Sequence, residues 1–141
     1  MSPVARYMIK VFGKVHKTMY QLTGSKIFAN LGKVPTLLLT TTGRTSGKLR
    51  TVPLLYIEEG GGFAIVASFA GSPDHPSWYR NLQNNPNASV QIEKEVIAVV
   101  ASTASPEEKT RLWPRFTDIY PDYDNYQKDT ERDIPVVLLR R

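Results

Sequence analysis

The sequence predicts a mainly β (α+β) domain, a small antiparallel barrel of about six strands with helices at its periphery. Short apolar or alternating runs recur from residue 35 onward, separated by turns rich in Gly, Pro and Asn. Six strands with few and peripheral helices favour such a barrel over a βαβ sheet. At 141 residues the chain is expected to form one core-bearing domain.

Residues 4–22 read as an amphipathic helix. Val4, Met8, Val11, Phe12, Val15, Met19 and Leu22 share one stripe, with Arg6, Lys10, Lys14 and Lys17 opposite. Such a helix either packs on its own domain or lies in a membrane interface. Residues 24–33 look like a connector, which divides the chain into an N-terminal segment, 1–33, and a barrel domain, 34–141. Strands are expected over 35–41, 50–58, 63–68, 89–92, 96–101 and 134–139. Residues 77–84 suit a short helix, set off by Pro76 and stopped by Asn85-Pro86-Asn87. Ser105-Pro106-Glu107-Glu108 supplies an N-cap, an N1 proline and an acidic first turn, so a helix is expected over 106–119. A tyrosine-rich loop or short helix follows.

Composition narrows the chemistry. With no cysteine, the chain has no disulfide, thiolate metal site or cysteine nucleophile. His16 and His75 do not suggest a metal pair, so no metal is expected. No apolar run is long enough to span a bilayer and no signal-peptide pattern opens the chain, which points to a cytoplasmic location. Nine Lys/Arg and no acid precede Glu58; the remainder holds nine basic and all thirteen acidic side chains. That basic front favours an anionic partner: a membrane surface, nucleic acid or an acidic small molecule.

Three motifs carry the chemistry. In the first, an apolar strand runs into Thr41-Thr42-Gly43-Arg44-Thr45-Ser46-Gly47-Lys48-Leu49-Arg50, a turn with hydroxyls, cations and no acid. It is either a solvated loop or an oxyanion site built from N–H groups, hydroxyls and charge. It lacks the spacing of a P-loop or a Rossmann fingerprint. The second motif is Ala67-Ser68-Phe69-Ala70-Gly71 followed by His75-Pro76-Ser77-Trp78-Tyr79-Arg80-Asn81-Leu82. Small residues at a strand end admit a flat ligand, and a helix N-terminus can face an anion. The third places Tyr120, Tyr123 and Tyr126 three residues apart among Asp118, Asp122 and Asp124, either as a packing corner or as an aromatic wall over a planar substrate.

In this order and spacing the motifs resemble the deazaflavin (F420)-dependent nitroreductase family of actinobacteria, over about residues 33–137. The resemblance is most specific at Thr41-Thr42-Gly43-Arg44-x-Ser46-Gly47-x-x-Arg50 and Pro76-x-Trp78-Tyr79-x-Asn81-Leu82, with Trp113-Pro114 and Tyr120-Pro121 as landmarks. It implies a split β-barrel like that of FMN-binding oxidoreductases, holding F420 and not FMN. It further implies that Arg44, Thr45, Ser46 and the strand Arg50, Thr51, Val52, Pro53, Leu54 and Leu55 hold the cofactor's anionic tail and ring edge. Val66, Ala67, Ser68 and Phe69 would contact the deazaflavin, and Ser77, Trp78, Tyr79, Arg80 and Asn81 the tail. Tyr123 would lie near the ring, with Tyr120 and Tyr126 on the substrate side.

The sequence departs from that family at three positions. Phe69 stands where relatives often have lysine, Ala70 replaces the first glycine of a common pair, and Leu55 occupies a tyrosine position, with Tyr56 on the other strand face.

The expected function is hydride transfer from F420H2 to an electron-poor small-molecule acceptor, quinone-like or an activated nitro compound. Ser68 and the Tyr123 phenol are the candidate catalytic donors. Two alternatives are a non-catalytic F420 or flavin carrier and a basic membrane-surface module in which residues 1–22 touch anionic lipid. Nucleic acid is not expected, because no aromatic residue interleaves the cations between Lys33 and Arg50. The oligomeric state is left open.

Overall fold

In the computed structural model of the chain, residues 34–141 are described. The expected helix over 4–22 and the connector that follows lie outside the described residues. From Thr36 the chain forms β1 (Thr36–Thr42), β2 (Leu49–Leu55), β3 (Ile57–Glu59) and β4 (Gly62–Val66), then a tight turn (Phe69–Gly71) and helix α1 (Ser77–Asn84). It continues through β5 (Asn87–Ile92), β6 (Glu95–Thr103), α2 (Pro106–Ile119), α3 (Asp122–Asp129) and β7 (Val136–Arg140).

The seven strands make one antiparallel sheet in the order β2-β1-β5-β6-β7-β4-β3. Its two edge strands, β2 and β3, are consecutive in the chain and separated only by Tyr56. The sheet therefore curls until its edges share a residue, yet no ladder joins them and it is not closed.

Strand alternation sorts the apolar residues onto two sides. Leu37, Leu39, Phe63, Ile65, Val90, Val99, Val137 and Leu139 form the inner core, which Trp78, Tyr79 and Leu82 of α1 complete. Ala64, Val66, Val136 and Leu138 face the other way, onto Leu112 and Phe116 of α2 and Tyr123 of α3. Both β4 and β7 are thus buried on two faces, which is why they read as continuous apolar runs.

The expected strand over 50–58 is two strands here. Tyr56 leaves the ladder and donates its N–H to the carbonyl of Pro35 at 3.1 Å. Apolar alternation continues unbroken, since Leu55 and Ile57 join one cluster and Tyr56 packs on the other. The chain changes neighbours without changing pattern, so the periodicity contains no mark of the break. The helices over 77–84 and 106–119 stand where expected. In α2 the Ser105 hydroxyl accepts from the Glu108 N–H at 3.1 Å and the Glu108 carboxylate accepts from the Ser105 N–H at 2.9 Å, a complete capping box.

Gly60 and Gly61 both have positive φ and form the two-residue turn from β3 to β4. Gly62 is required for a different reason. A Cβ there would fall 2.2 Å from the Leu139 carbonyl oxygen, inside the β4–β7 pairing. Gly62→Ala should lower stability by about 1–3 kcal/mol through overpacking against backbone that cannot yield, read as a fall in the midpoint of chemical denaturation with an unchanged slope.

Candidate active site

The basic turn between β1 and β2 is ordered by its own hydrogen bonds. Gly43 N–H donates to Lys48 O and Gly47 N–H to Gly43 O, each at 2.8 Å, and the Ser46 hydroxyl accepts from Lys48 N–H at 3.1 Å. Gly47, at φ 70°, allows the reversal.

The turn is then tied to α1 through one carboxamide. Asn81 is 3% exposed, and its Oδ1 accepts from the Arg44 N–H at 3.2 Å and from Arg44 Nη1 at 2.9 Å. Its Nδ2 donates to the Thr41 hydroxyl at 3.1 Å. Arg44 Nη1 also donates to the Ser77 hydroxyl at 3.0 Å and the Ser77 carbonyl at 3.3 Å. The Arg44 side chain thus lies across the first turn of α1 with Nε and Nη2 unpaired among the described residues. Gly43, Arg44, Thr45, Ser46, Arg50, Ser77 and Asn81 line a cavity of about 220 Å³. Its wall contains two guanidiniums, three hydroxyls and no carboxylate.

β2 forms the floor beside this cavity. As an edge strand it has one unpaired side, and Pro53, opposite Leu38 of β1, is tolerated there because a missing N–H on the open side breaks no ladder bond. Thr51 is held by a 2.6 Å hydrogen bond between its hydroxyl and that of Thr40. Val52 and Leu54 pack partly against the inner core, whereas Leu55 is buried with the tyrosine cluster.

The second motif begins at the end of β4, where Val66 and Ala67 are buried and Ser68 is half-buried. Three residues with positive φ follow: Phe69 at 45°, Ala70 at 53° and Gly71 at 76°. Only Gly71 has the residue type this region favours, and each of the other two costs on the order of 1 kcal/mol. Gly71 also sits under α3, where a Cβ would lie 3.0 Å from the Tyr126 carbonyl oxygen. Phe69 remains 57% exposed.

Arg132, which the sequence reading missed, holds this turn. Its Nη1 donates to the Ala67 carbonyl at 3.0 Å, its Nη2 to the Ser68 carbonyl at 2.5 Å and its Nε to the Ser72 carbonyl at 2.8 Å. Nη1 also lies 3.1 Å from His75 Nδ1, which accepts as the neutral tautomer. No local pattern marks Arg132, because its partners lie some sixty residues earlier.

Trp78 and Tyr79 are core residues. Both are nearly buried, the Tyr79 hydroxyl bonds the Thr103 hydroxyl at 2.8 Å, and the Tyr79 ring meets that of His75 edge-on. Ser77 and Arg80 are the exposed members of that helix segment.

The three tyrosines pack together at the other side of β4. Tyr123 is 7% exposed, with its ring against Phe116, Trp113, Tyr120 and Tyr126, in the same cluster as Leu55 and Val66. Its hydroxyl has no partner among the described residues, and burial, then its two tyrosine neighbours, push its pKa up. The hydroxyls of Tyr120 and Tyr126 are 2.9 Å apart. That hydrogen bond, followed by burial, pushes Tyr120 up to about 12, so it stays a neutral phenol at any physiological pH. Trp113 Nε1 donates to Asp124 at 2.7 Å and fixes the start of α3. No group of residues able to hold a metal ion occurs among the described residues.

The comparisons with known proteins place this curled antiparallel sheet among the oxidoreductases. The family described as F420H(2)-dependent quinone reductase matches residues 12–141, and the chain belongs to that family. A Mycobacterium tuberculosis chain provisionally named an F420H(2)-dependent quinone reductase is 49% identical over 107 residues, 76% of this chain and 90% of that one. A further M. tuberculosis F420H(2)-dependent quinone reductase is 36% identical over 132 residues, covering 91% and 89% of the two chains. Among solved structures, an F420-H2-dependent reductase (FDR-A) superposes with a TM-score of 0.69 at 45% identity, over 75% of this chain and 94% of that one.

Two predictions follow from this geometry. Asn81→Leu should cost about 1–3 kcal/mol, because the Arg44 N–H and the Thr41 hydroxyl lose a buried partner; thermal denaturation reads the loss. The second concerns His75, whose pKa is lowered from 6.5 by burial and by Arg132 and Arg80, with Asp74 opposing. The unfolded chain therefore takes up this proton first, and the stabilisation is complete above about pH 6.5 and lost as pH falls through the lower folded value. His75→Asn should flatten that part of the acid-side decline, measured by denaturant midpoints between about pH 5 and about pH 7.

Proposed function

We propose that the protein reduces a quinone-like acceptor with hydride from F420H2 and binds F420 in preference to FMN. The observation that carries this reading is the acid-free cradle between the β1–β2 turn and α1. It offers Arg44, Arg50, the Thr45, Ser46 and Ser77 hydroxyls and no competing carboxylate. That donor set suits a string of anions, such as a phosphodiester followed by carboxylates. The Thr45 and Ser46 N–H groups, unpaired among the described residues, add to it.

When bound, the reduced deazaflavin supplies the hydride; the chain's residues bind, orient and exclude water. Arg44, preset by Asn81 and Ser77, and Arg50 would grip the tail, with Arg80 adding charge beside the first turn of α1. The open side of β2 from Thr51 to Leu55 would run along the ring edge, with Val66 to Phe69 beyond. The Ser68 hydroxyl, unpaired among the described residues, is the candidate donor to a developing oxyanion. Tyr123 would close the site from the opposite side, and Tyr120 and Tyr126 would bound the acceptor. Leu55 and Phe69 give this pocket its own shape, so activated nitro compounds would be incidental acceptors. Residues 1–22 would add a peripheral contact with anionic membrane, where lipophilic quinones reside. No helix among the described residues is long and apolar enough to cross a membrane.

Titration with F420 and FMN tests the cofactor. F420 should bind far more tightly, and Arg44→Ala combined with Arg50→Ala should cost several kcal/mol, at about 1.5–3 for each charge-assisted contact. Equal affinity for the two cofactors would sink the assignment. Tyr123→Phe tests the phenol. Because that hydroxyl has no partner among the described residues, the variant should melt within a few degrees of the parent, with turnover falling while F420 affinity shifts less than about tenfold. Unchanged turnover would leave Tyr123 as core packing alone.

A further inference from the structure

We infer that Arg132 is a positioning residue: its grip on the Ala67, Ser68 and Ser72 carbonyls turns the Ser68, Phe69 and Ala70 N–H groups into a cradle for a ring oxygen. The inference rests on the F420 reading above and extends it to a residue that lies outside all three sequence motifs.

Ser68 has φ −75° and ψ −40°, in the right-handed region, and Phe69 at φ 45° and Ala70 at φ 53° are left-handed. A right-handed residue followed by a left-handed one sends its successive N–H groups into one concavity and its carbonyls the opposite way. The hydrogen bonds follow that division. On the carbonyl side, Ala67 and Ser68 accept from Arg132, and Ser68 and Phe69 accept from the Gly71 and Ser72 N–H groups at 3.0 Å. On the other side, the N–H groups of Ser68, Phe69 and Ala70 have no partner among the described residues. A guanidinium bonded to two successive carbonyls also polarises the peptide units that carry the Ser68 and Phe69 N–H groups, making them stronger donors.

The turn does not hold itself. Two of its left-handed residues carry a Cβ, and the exposed Phe69 ring recovers little by burial. What holds it is Arg132 on one side and the α3 backbone at Tyr126 over Gly71 on the other. A lysine at 132 would keep the charge but could not span three carbonyls with a planar fork. The ligand group that suits three convergent N–H donors is a carbonyl or anionic oxygen on the edge of a flat ring.

The experiment uses the full chain and two probes, F420 and the same deazaflavin riboside lacking the phosphodiester tail. Arg44→Ala should weaken F420 and leave the tail-less ring unaffected. Arg132→Lys should weaken both by the same factor, about tenfold or more, and lower kcat with little change in the quinone KM. Ser68→Pro removes one N–H at a φ that proline accepts. It should lose the tail-less ring to a greater degree than Ser68→Ala, which keeps the N–H and measures the hydroxyl's share. Folded Arg132→Lys that binds the tail-less ring like the parent overturns the inference. If Arg132 variants do not fold, the Ser68 pair decides, and equal affinities for proline and alanine overturn it. A parent chain that binds neither deazaflavin overturns the F420 reading itself, and the role given to Arg132 falls with it.

Discussion

The Asn81 carboxamide is the contact on which the rest of the site depends. It joins three pieces of chain: the end of β1 at Thr41, the basic turn at Arg44 and the helix that carries Asn81 itself, to which Arg44 is tied a second time through Ser77. A buried amide is costly unless it is satisfied, and both ends of this one are. With the Arg44 backbone and guanidinium held to one oxygen, the long side chain surrenders its rotamer freedom at folding and not at binding. A cation fixed this way forms later contacts with less entropy to lose.

The same economy appears on the far side of the barrel. Strain in the Phe69–Gly71 turn survives because groups distant in sequence over-determine it: Arg132 from the segment before β7 and the α3 backbone at Gly71. The curled sheet makes this possible. Since β4 lies between β7 and β3, and β3 follows β2 directly, the ends of β4 and β2 and the approach to β7 come together. Leu55 thereby clusters with Val66 and Val136, and Arg132 reaches Ala67 and Ser68.

Much of this was legible in the sequence, and where it was not the reason is physical. Two of the three described helices announced themselves through local chemistry, the capping box at Ser105 and the proline stop at Asn85-Pro86, whereas Asp122–Asp129 read equally as a loop or a short helix. The strands announced themselves through alternation, except at Tyr56, where a change of ladder partner leaves the alternation intact. The fifth-to-sixth strand turn was legible as a turn, although Glu93 adopts φ 55°, a place where glycine or asparagine is the ordinary signal. Motif spacing led to the cradle, including Arg44, Ser46 and Ser77. It did not distinguish Asn81, which holds the cradle together from within, from residues that line its surface. Trp78 and Tyr79 sit in that same motif yet belong to the core, because the helix exposes Ser77 and Arg80 on one face and buries the other. Arg132 left no trace, since main-chain carbonyls as partners impose no residue type on the positions gripped.

Charge placement then separates the two halves of the site. Around the cradle the cations Arg44, Lys48, Arg50 and Arg80 are exposed and unpaired with acids among the described residues, so their field is available to an incoming anion. On the helical side three cations are engaged by acids. Glu59 accepts from Arg111 and Arg115 at 3.0 and 3.1 Å, and Lys109 reaches both Asp133 and Gln127. Such pairs add little stability, typically about 0–1 kcal/mol, and they engage Lys109, Arg111 and Arg115, three of the five cations in residues 106–133. Residues 106–133 hold eight acids against five cations, so the basic cradle and the helical side differ in the sign of their charge.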